Sequence, residues 1–382
     1  MQRLRRLCVD SFVGRITVDT DALRHNAATF RGMTQAKICA VVKANGYGHG
    51  LVPASRAFVA AGVDYLGVAQ LEEALELRQH IPGVPILTWI FDPSANLEEA
   101  VQSGLDISVG APWALDRLLT AAQHCASPAR LHIEVDTGMS RGGFAPEMLL
   151  EVAHRIAKAE RDGIVDVIGL WSHLARADEP DSGETERQLD RFETATRALR
   201  DVGVHPRLRH LANTAGTLWH PRTHLDMVRP GIGLYGISPE PAVATAQDLG
   251  LQPAMTLSSR IIAVREVPAG TGISYGHTET AADALALGTV PLGYADGIPR
   301  AASSRGPVMV NGHRSRIMGR VCMDQVVIAL PKGATIGDEV VFFGSEGPTV
   351  DEWADAAGTI GYEITTRLGR HVPRHYRGTV GL

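Results

Sequence analysis

The feature that most narrows the folds open to this chain is an alternation running through its first 232 residues. Short, uncharged, largely aliphatic runs lie near 38–43, 65–70, 85–89, 107–110, 129–136, 165–173, 207–213 and 227–232. Amphipathic stretches such as 71–80, 112–125, 147–160 and 184–201 separate most of them. Continuous apolar runs read as strands buried on both faces, and the stretches between them read as crossover helices. Eight such strands predict a parallel (β/α)8 TIM-type barrel. The runs at 107–110 and 227–232 carry little periodicity of their own. A helix is predicted over 19–31, with Leu23, Ala27 and Phe30 on one face and Asp19 or Thr20 as its cap.

From about residue 245 the texture changes. Met255–Val267, Gly288–Leu292, Val308–Val310, Arg316–Met318, Gln325–Leu330 and Glu339–Phe343 are short strand-like runs, closely punctuated by Gly, Pro and Asn. They predict an all-β domain. Thr349 and Glu352 form a capping-box pattern ahead of a short helix. The predicted division is a barrel over 14–245 and a β-domain over 246–382. Residues 1–13, and the run Arg15–Val18, are candidates to join the β-domain. A chain of 382 residues is long enough for both.

A formal net charge of −5 gives no electrostatic case for nucleic acid or an anionic membrane. Arg3, Arg5 and Arg6 are followed by no apolar stretch, so neither a secretory signal nor a spanning helix is expected, and the expected location is cytoplasmic. The four cysteines are scattered, and the fifteen histidines show no metal-ligand spacing. No metal is expected.

The densest chemical signal follows the first barrel strand, in Ala40-Val41-Val42-Lys43-Ala44-Asn45-Gly46-Tyr47-Gly48-His49-Gly50. A lysine beside a buried strand costs desolvation free energy unless it is paired or covalently used. Glycine-rich backbone next to it can approach an anion closely. Together they suit a lysine that binds a cofactor through its amine, because desolvation lowers the amine's pKa. A lysine that merely snorkels out of a strand end is the plainer reading of the same residues. A second glycine-rich turn, Arg229-Pro230-Gly231-Ile232-Gly233-Leu234-Tyr235-Gly236, contains a literal G-x-G-x-x-G but lies in no βαβ unit. Following the last strand candidate, it fits a phosphate-binding turn better than a dinucleotide fingerprint.

The Lys43 segment closely resembles the pyridoxal-phosphate attachment motif of the alanine racemase family: a lysine, then Ala-Asn, a small residue and Tyr-Gly-His-Gly. The resemblance extends from about residue 14 to near the C-terminus. It implies pyridoxal 5'-phosphate on Lys43 and interconversion of L- and D-alanine in a homodimer whose sites are shared, supplying D-alanine for peptidoglycan. It also implies that Tyr47, Thr214, Gly231, Ile232 and Tyr362 surround the cofactor's phosphate end, with Asn213 beside them. Arg229 would face the pyridine nitrogen. A guanidinium only donates hydrogen bonds, so that nitrogen would stay unprotonated and the cofactor would be a weaker electron sink.

A racemase needs an acid/base group on each face of the α-carbon. Lys43 is one. Tyr275, in Gly272-Ile273-Ser274-Tyr275-Gly276, matches the family's second base, delivered from the other subunit. A phenol is a weak base near neutral pH, and His173 matches the residue linking it to Arg229. Met323 and Arg141 match the carboxylate-binding pair, while Arg320, Asp178, Tyr294 and Arg300 match residues of the access channel. Glu134 stands where the family often has a carbamylated lysine. On a strand it shares a face with Asp136, and it is expected to supply directly the negative charge that holds Arg141. Two rivals are a decarboxylase with the same cofactor lysine and a non-catalytic single-barrel cofactor protein; a racemase of different or broader amino-acid range is a third alternative.

Overall fold

The computed structural model describes residues 14–379. Residues 1–13, named above as candidates to pack with the β-domain, lie outside the described residues.

The first strand, β1 (Gly14–Asp19), alternates buried Ile16 and Val18 with outward Arg15 and Thr17, the period of a sheet with one face on a core. Asp19 ends it and caps the helix Thr20–Met33, its carboxylate accepting the amides of Asp21 and Ala22 at 2.9 and 3.1 Å. Leu23, Ala27 and Phe30 are buried along that helix, as the spacing predicts.

The eight barrel strands follow: β2 (Lys37–Val41), β3 (Tyr65–Gln70), β4 (Ile86–Ile90), β5 (Asp106–Val109), β6 (Ala129–Glu134), β7 (Val165–Trp171), β8 (Leu208–His210) and β9 (Met227–Val228). They pair in parallel in the order β8-β7-β6-β5-β4-β3-β2-β9. Two backbone bonds stitch the seam between β8 and β9: Asp226 N–H to the carbonyl of Arg209 at 3.0 Å, and Arg229 N–H to that of Ala212 at 2.8 Å. Each weakly periodic run is a real strand. Their neighbours, not their own pattern, specify them.

The remaining strands are β10 (Met255–Arg260), β11 (Ala263–Val267), β12 (Gly272–Ile273), β13 (Glu279–Thr280), β14 (Leu285–Val290), β15 (Pro307–Val310), β16 (His313–Arg316), β17 (Val326–Ala329), β18 (Glu339–Phe343) and β19 (Arg374–Arg377). A six-stranded sheet runs β16-β15-β18-β10-β1-β19, and β11, β14 and β17 form a second. Residues 14–19, placed within the barrel segment by the 14–245 boundary, therefore build the C-terminal sheet: Ile16 pairs with Leu257 on one side and Arg374 on the other. The capping box forms as predicted, Glu352 N–H donating to Thr349 Oγ1 at 3.1 Å and Thr349 N–H to Glu352 Oε2 at 2.7 Å. One continuous apolar core runs from the barrel through this domain. Among the described residues no helix is long and apolar enough to cross a membrane, and no cluster of His, Cys, Asp or Glu is arranged to hold a metal ion.

Candidate active site

At the C-terminal ends of the barrel strands lies a cavity of about 580 Å³, part of it open to solvent. Lys43, Tyr47, Arg141, His173, Asn213, Thr214, Arg229, Gly231, Ile232 and Tyr362 all line it. Trp89 and Trp171 line it as well, and sequence reasoning assigned them no part.

Lys43 follows β2 and opens a left-handed turn. Ala44, Asn45, Gly46, Tyr47 and Gly48 have φ of 54°, 56°, 60°, 51° and 85°. Three of these carry a Cβ, for which this region is unfavourable, so outside contacts must hold the turn. Asn45 Oδ1 accepts the amide of Leu51 at 2.9 Å, and Arg374 Nε donates to the carbonyl of Gly48 at 2.7 Å. His49, fully buried, places Nδ1 at 3.1 and 3.0 Å from the carbonyls of Gly46 and Tyr47. The turn aims Lys43 into the cavity, with Nζ 6.0 Å from the centre of the Trp89 ring. Burial lowers the amine's pKa, Arg141 and Arg229 lower it further, and Glu73 acts the other way.

In the lining of the same cavity, Gly231 N–H donates to Thr214 Oγ1 at 2.8 Å. A side chain at Gly231 would put its Cβ 2.3 Å from the Tyr47 hydroxyl, so only glycine lets this backbone come so near the ring. Neither the Tyr47 nor the Tyr362 hydroxyl has a hydrogen-bond partner within the described chain, and burial raises both phenols' pKa. Two neutral phenols and a threonine hydroxyl around a glycine turn form a donor set for an anion. With a buried amine in the same cavity, these residues fit a phosphate-bearing aldehyde cofactor.

Arg229 is 5% exposed, and burial lowers its pKa to about 10. Its Cζ lies 4.8 Å from the centre of the Trp171 ring. Nη2 donates to the carbonyls of Ser172 and Leu211 at 2.7 and 3.2 Å, and Nη1 donates to His210 Nδ1 at 3.0 Å. Because the guanidinium can only donate, His210 carries its proton on Nε2 and passes it toward His132 Nδ1, 2.9 Å away. His132 Nε2 then donates to Asp106 Oδ2 at 3.1 Å, and Asp106 also meets Arg130. This buried file fixes both tautomers and crosses the barrel interior. Gly169 makes room for it: a Cβ there would lie 2.2 Å from His132 Nδ1.

None of these bonds joins Arg229 to His173, so the link expected of His173 is not made within the chain. Burial, with Arg229, Arg141 and Lys43 nearby, holds the His173 pKa well below its usual value, leaving a neutral imidazole. Glu134 also departs from its simplest expectation. Burial raises its pKa while Arg141 and Arg229 pull it back, but it makes no ion pair with Arg141 within 4.0 Å.

Two predicted residues stand apart from this cavity. Tyr275 lies at the tip of the β12–β13 hairpin and is 69% exposed; Met323 is 53% exposed. Neither lines the cavity of its own chain. Their segments lie beside one another: Ser274 Oγ donates to the Arg320 carbonyl at 2.7 Å, and its contact to Cys322 Sγ is 3.6 Å.

Comparisons with known proteins point to a single family. Residues 18–239 match the family model "Alanine racemase, N-terminal domain", and residues 254–376 match "Alanine racemase, C-terminal domain". An alanine racemase of Beutenbergia cavernae is 49% identical over 374 residues, covering 96% of this chain and 99% of the relative. The crystal structure of alanine racemase from D-cycloserine-producing Streptomyces lavendulae superposes with a TM-score of 0.94 at 43% identity, over 96% of this chain and 97% of that one. That of Streptomyces coelicolor A3(2) gives 0.92 at 46%, over 95% and 97%.

Proposed function

The chain belongs to the alanine racemase family, and from that premise we propose how its own residues perform the interconversion of L-alanine and D-alanine. The observation that carries the proposal is a desolvated lysine and a set of anion-binding donors lining one cavity.

Pyridoxal 5'-phosphate is the proposed cofactor. Lys43 would hold it, with Tyr47, Thr214, Gly231, Ile232 and Tyr362 around its phosphate end, Asn213 beside them and Arg229 toward its ring nitrogen. When bound it would supply a covalent handle for the amino acid and make the α-hydrogen acidic.

The chain's residues do the rest. A single acid/base group returns a proton to the face it left, so inversion needs two. Lys43 Nζ serves one face of the α-carbon. The Tyr275 hydroxyl, exposed and absent from its own cavity, would serve the other in a second copy of the chain, making the enzyme a homodimer with shared sites. In the L-to-D direction the phenolate takes the proton and the ammonium returns one. Neutral His173 would donate its ring N–H to the Tyr275 oxygen and so favour the phenolate. Arg229, a donor on every nitrogen, cannot give up its proton readily even at a pKa of about 10. It would leave the ring nitrogen unprotonated, limiting chemistry to removal and return of one proton.

Arg141 and the Met323 amide would bind the substrate carboxylate, and Glu134 would hold Arg141 across space, without direct pairing. A Glu134→Gln variant with wild-type kinetics would remove that role. Match to both family domains separates this chain from a non-catalytic single barrel. The free thiols of Cys39, Cys125 and Cys322 suit a reducing compartment, which supports a cytoplasmic site of action and supply of D-alanine for peptidoglycan.

The decisive assay is incubation with L-alanine and pyridoxal 5'-phosphate, reading D-alanine on a chiral column. Approach to an equal mixture from either enantiomer is expected. Release of CO₂ without inversion would overturn the proposal, and parallel incubations with serine and other amino acids define the substrate range.

A further inference from the structure

The left-handed turn after Lys43 has one more anchor, on a different element. Glu73 sits in the first turn of the helix Leu71–His80, which follows β3. Its Oε1 accepts the Asn45 N–H at 2.9 Å, and the amides of Ala44 and Gln70 also face the carboxylate. The bond to Asn45 reaches out of the helix to the neighbouring βα loop, while the Gln70 amide stands at the capping-box position. Glu73 Oε2 is shut off from solvent and has no hydrogen-bond partner in the chain. A carboxylate kept in such a place costs free energy, and a helix cap alone would not need it buried.

The turn it touches closes backbone bonds of its own, yet it holds Ala44, Asn45 and Tyr47 at positive φ. Ala44 and Asn45 are its first two left-handed residues; Glu73 receives the Asn45 amide and faces that of Ala44. Releasing them would let both relax to ordinary φ. Lys43 and Tyr47, one on each side, would then lose their fixed separation.

We infer that Glu73 is a positioning residue for the racemase reaction: its carboxylate fastens the left-handed turn that sets the Lys43 amine against Tyr47 in the cofactor cavity. This inference rests on the function proposed above. The carboxylate has a second consequence by charge. Arg141, Arg229 and His173 also face Lys43, and of the groups that move its pKa the two arginines disfavour the ammonium while Glu73 favours it. Glu73 thus keeps an amine that burial has made weakly basic able to return a proton.

Two variants separate the holding from the charge. Glu73→Gln keeps an oxygen for the Asn45 amide but removes the charge; Glu73→Ala removes both. On the full chain, with and without pyridoxal 5'-phosphate, hydrogen exchange of the peptide spanning 43–50 reads the turn. The pH dependence of Lys43 acylation in the cofactor-free protein, followed by mass spectrometry, reads the amine. In Glu73→Ala, exchange at 44 and 45 should rise about tenfold or more, and kcat/KM should fall about a hundredfold, as expected when a reacting group is misplaced. In Glu73→Gln, exchange should stay near wild type while the Lys43 titration moves to lower pH. Unmoved exchange and titration in both variants would overturn the inference, even if the melting temperature fell. A wild-type chain that fails to racemise alanine would instead sink the proposed function, and the two physical readouts would still judge Glu73.

Discussion

The mouth of the barrel and the hairpin at 272–280 both carry residues of the proposed reaction, yet they are finished to different degrees. At the barrel mouth Arg229 is nearly buried and hydrogen-bonded to a histidine and two carbonyls, and Lys43 is walled by Trp89 and two arginines. At the hairpin, Tyr275 projects into solvent and the loop holds two non-glycine residues, Ser274 and His277, at φ of 59° and 44°. A chain does not ordinarily fasten a loop in left-handed conformations to display a ring to water. The contrast teaches how the proposed shared site divides: the barrel half is assembled within one chain, and the hairpin half would need a neighbour.

The largest effects test that division. Lys43→Ala and Tyr275→Ala should each abolish racemisation, with Tyr275→Ala keeping the cofactor's absorbance. Refolding the two together from an equal mixture should restore about a quarter of wild-type activity, because half the dimers are mixed and each has one intact site. No recovery would break the shared-site reading. Next comes Arg141→Ala, which removes a charge from the barrel half only. We expect kcat/KM for alanine to fall on the order of a hundredfold, mostly through KM, as for loss of a charged carboxylate partner. A smaller loss, about tenfold, is expected for His210→Leu, which takes one acceptor from Arg229 and cuts the file to Asp106. Steady-state kinetics in both directions check these two. Least affected should be Thr349→Ala, which costs about 1 kcal/mol of helix capping at a residue that does not line the cavity. It should lower the melting temperature by a few degrees and leave kcat unchanged; a kcat effect would show the two regions more tightly linked than they look.

The barrel was legible because its signal is repeated. Even the thin runs at 107–110 and 227–232 were bracketed by stronger neighbours, and they form β5 and β9. The terminal strand β19 was missed, since Arg374-His375-Tyr376-Arg377 has neither alternation nor β-branched residues, and its partner lies at the other end of the chain. The residues lining the cavity were found through short dense motifs that carry glycines. What escaped lies deeper: Trp89 and Trp171 look like ordinary core, and His132, His210 and Asp106 are lone polar residues on separate strands. Only the closed barrel brings those three within hydrogen-bond reach, and no spacing along the chain encodes that. Glu73 escaped for the same reason, being indistinguishable in sequence from any acidic residue of a helix's first turn.

The bond from Arg374 to the carbonyl of Gly48 joins residues 326 positions apart. Since a ribosome makes the barrel first, the loop bearing the reactive amine must wait for the last strand before its far side is braced. A polypeptide cut before β19 would therefore carry every barrel residue of the pocket while lacking a settled one, and ripening of the site waits on synthesis of a strand more than three hundred residues away.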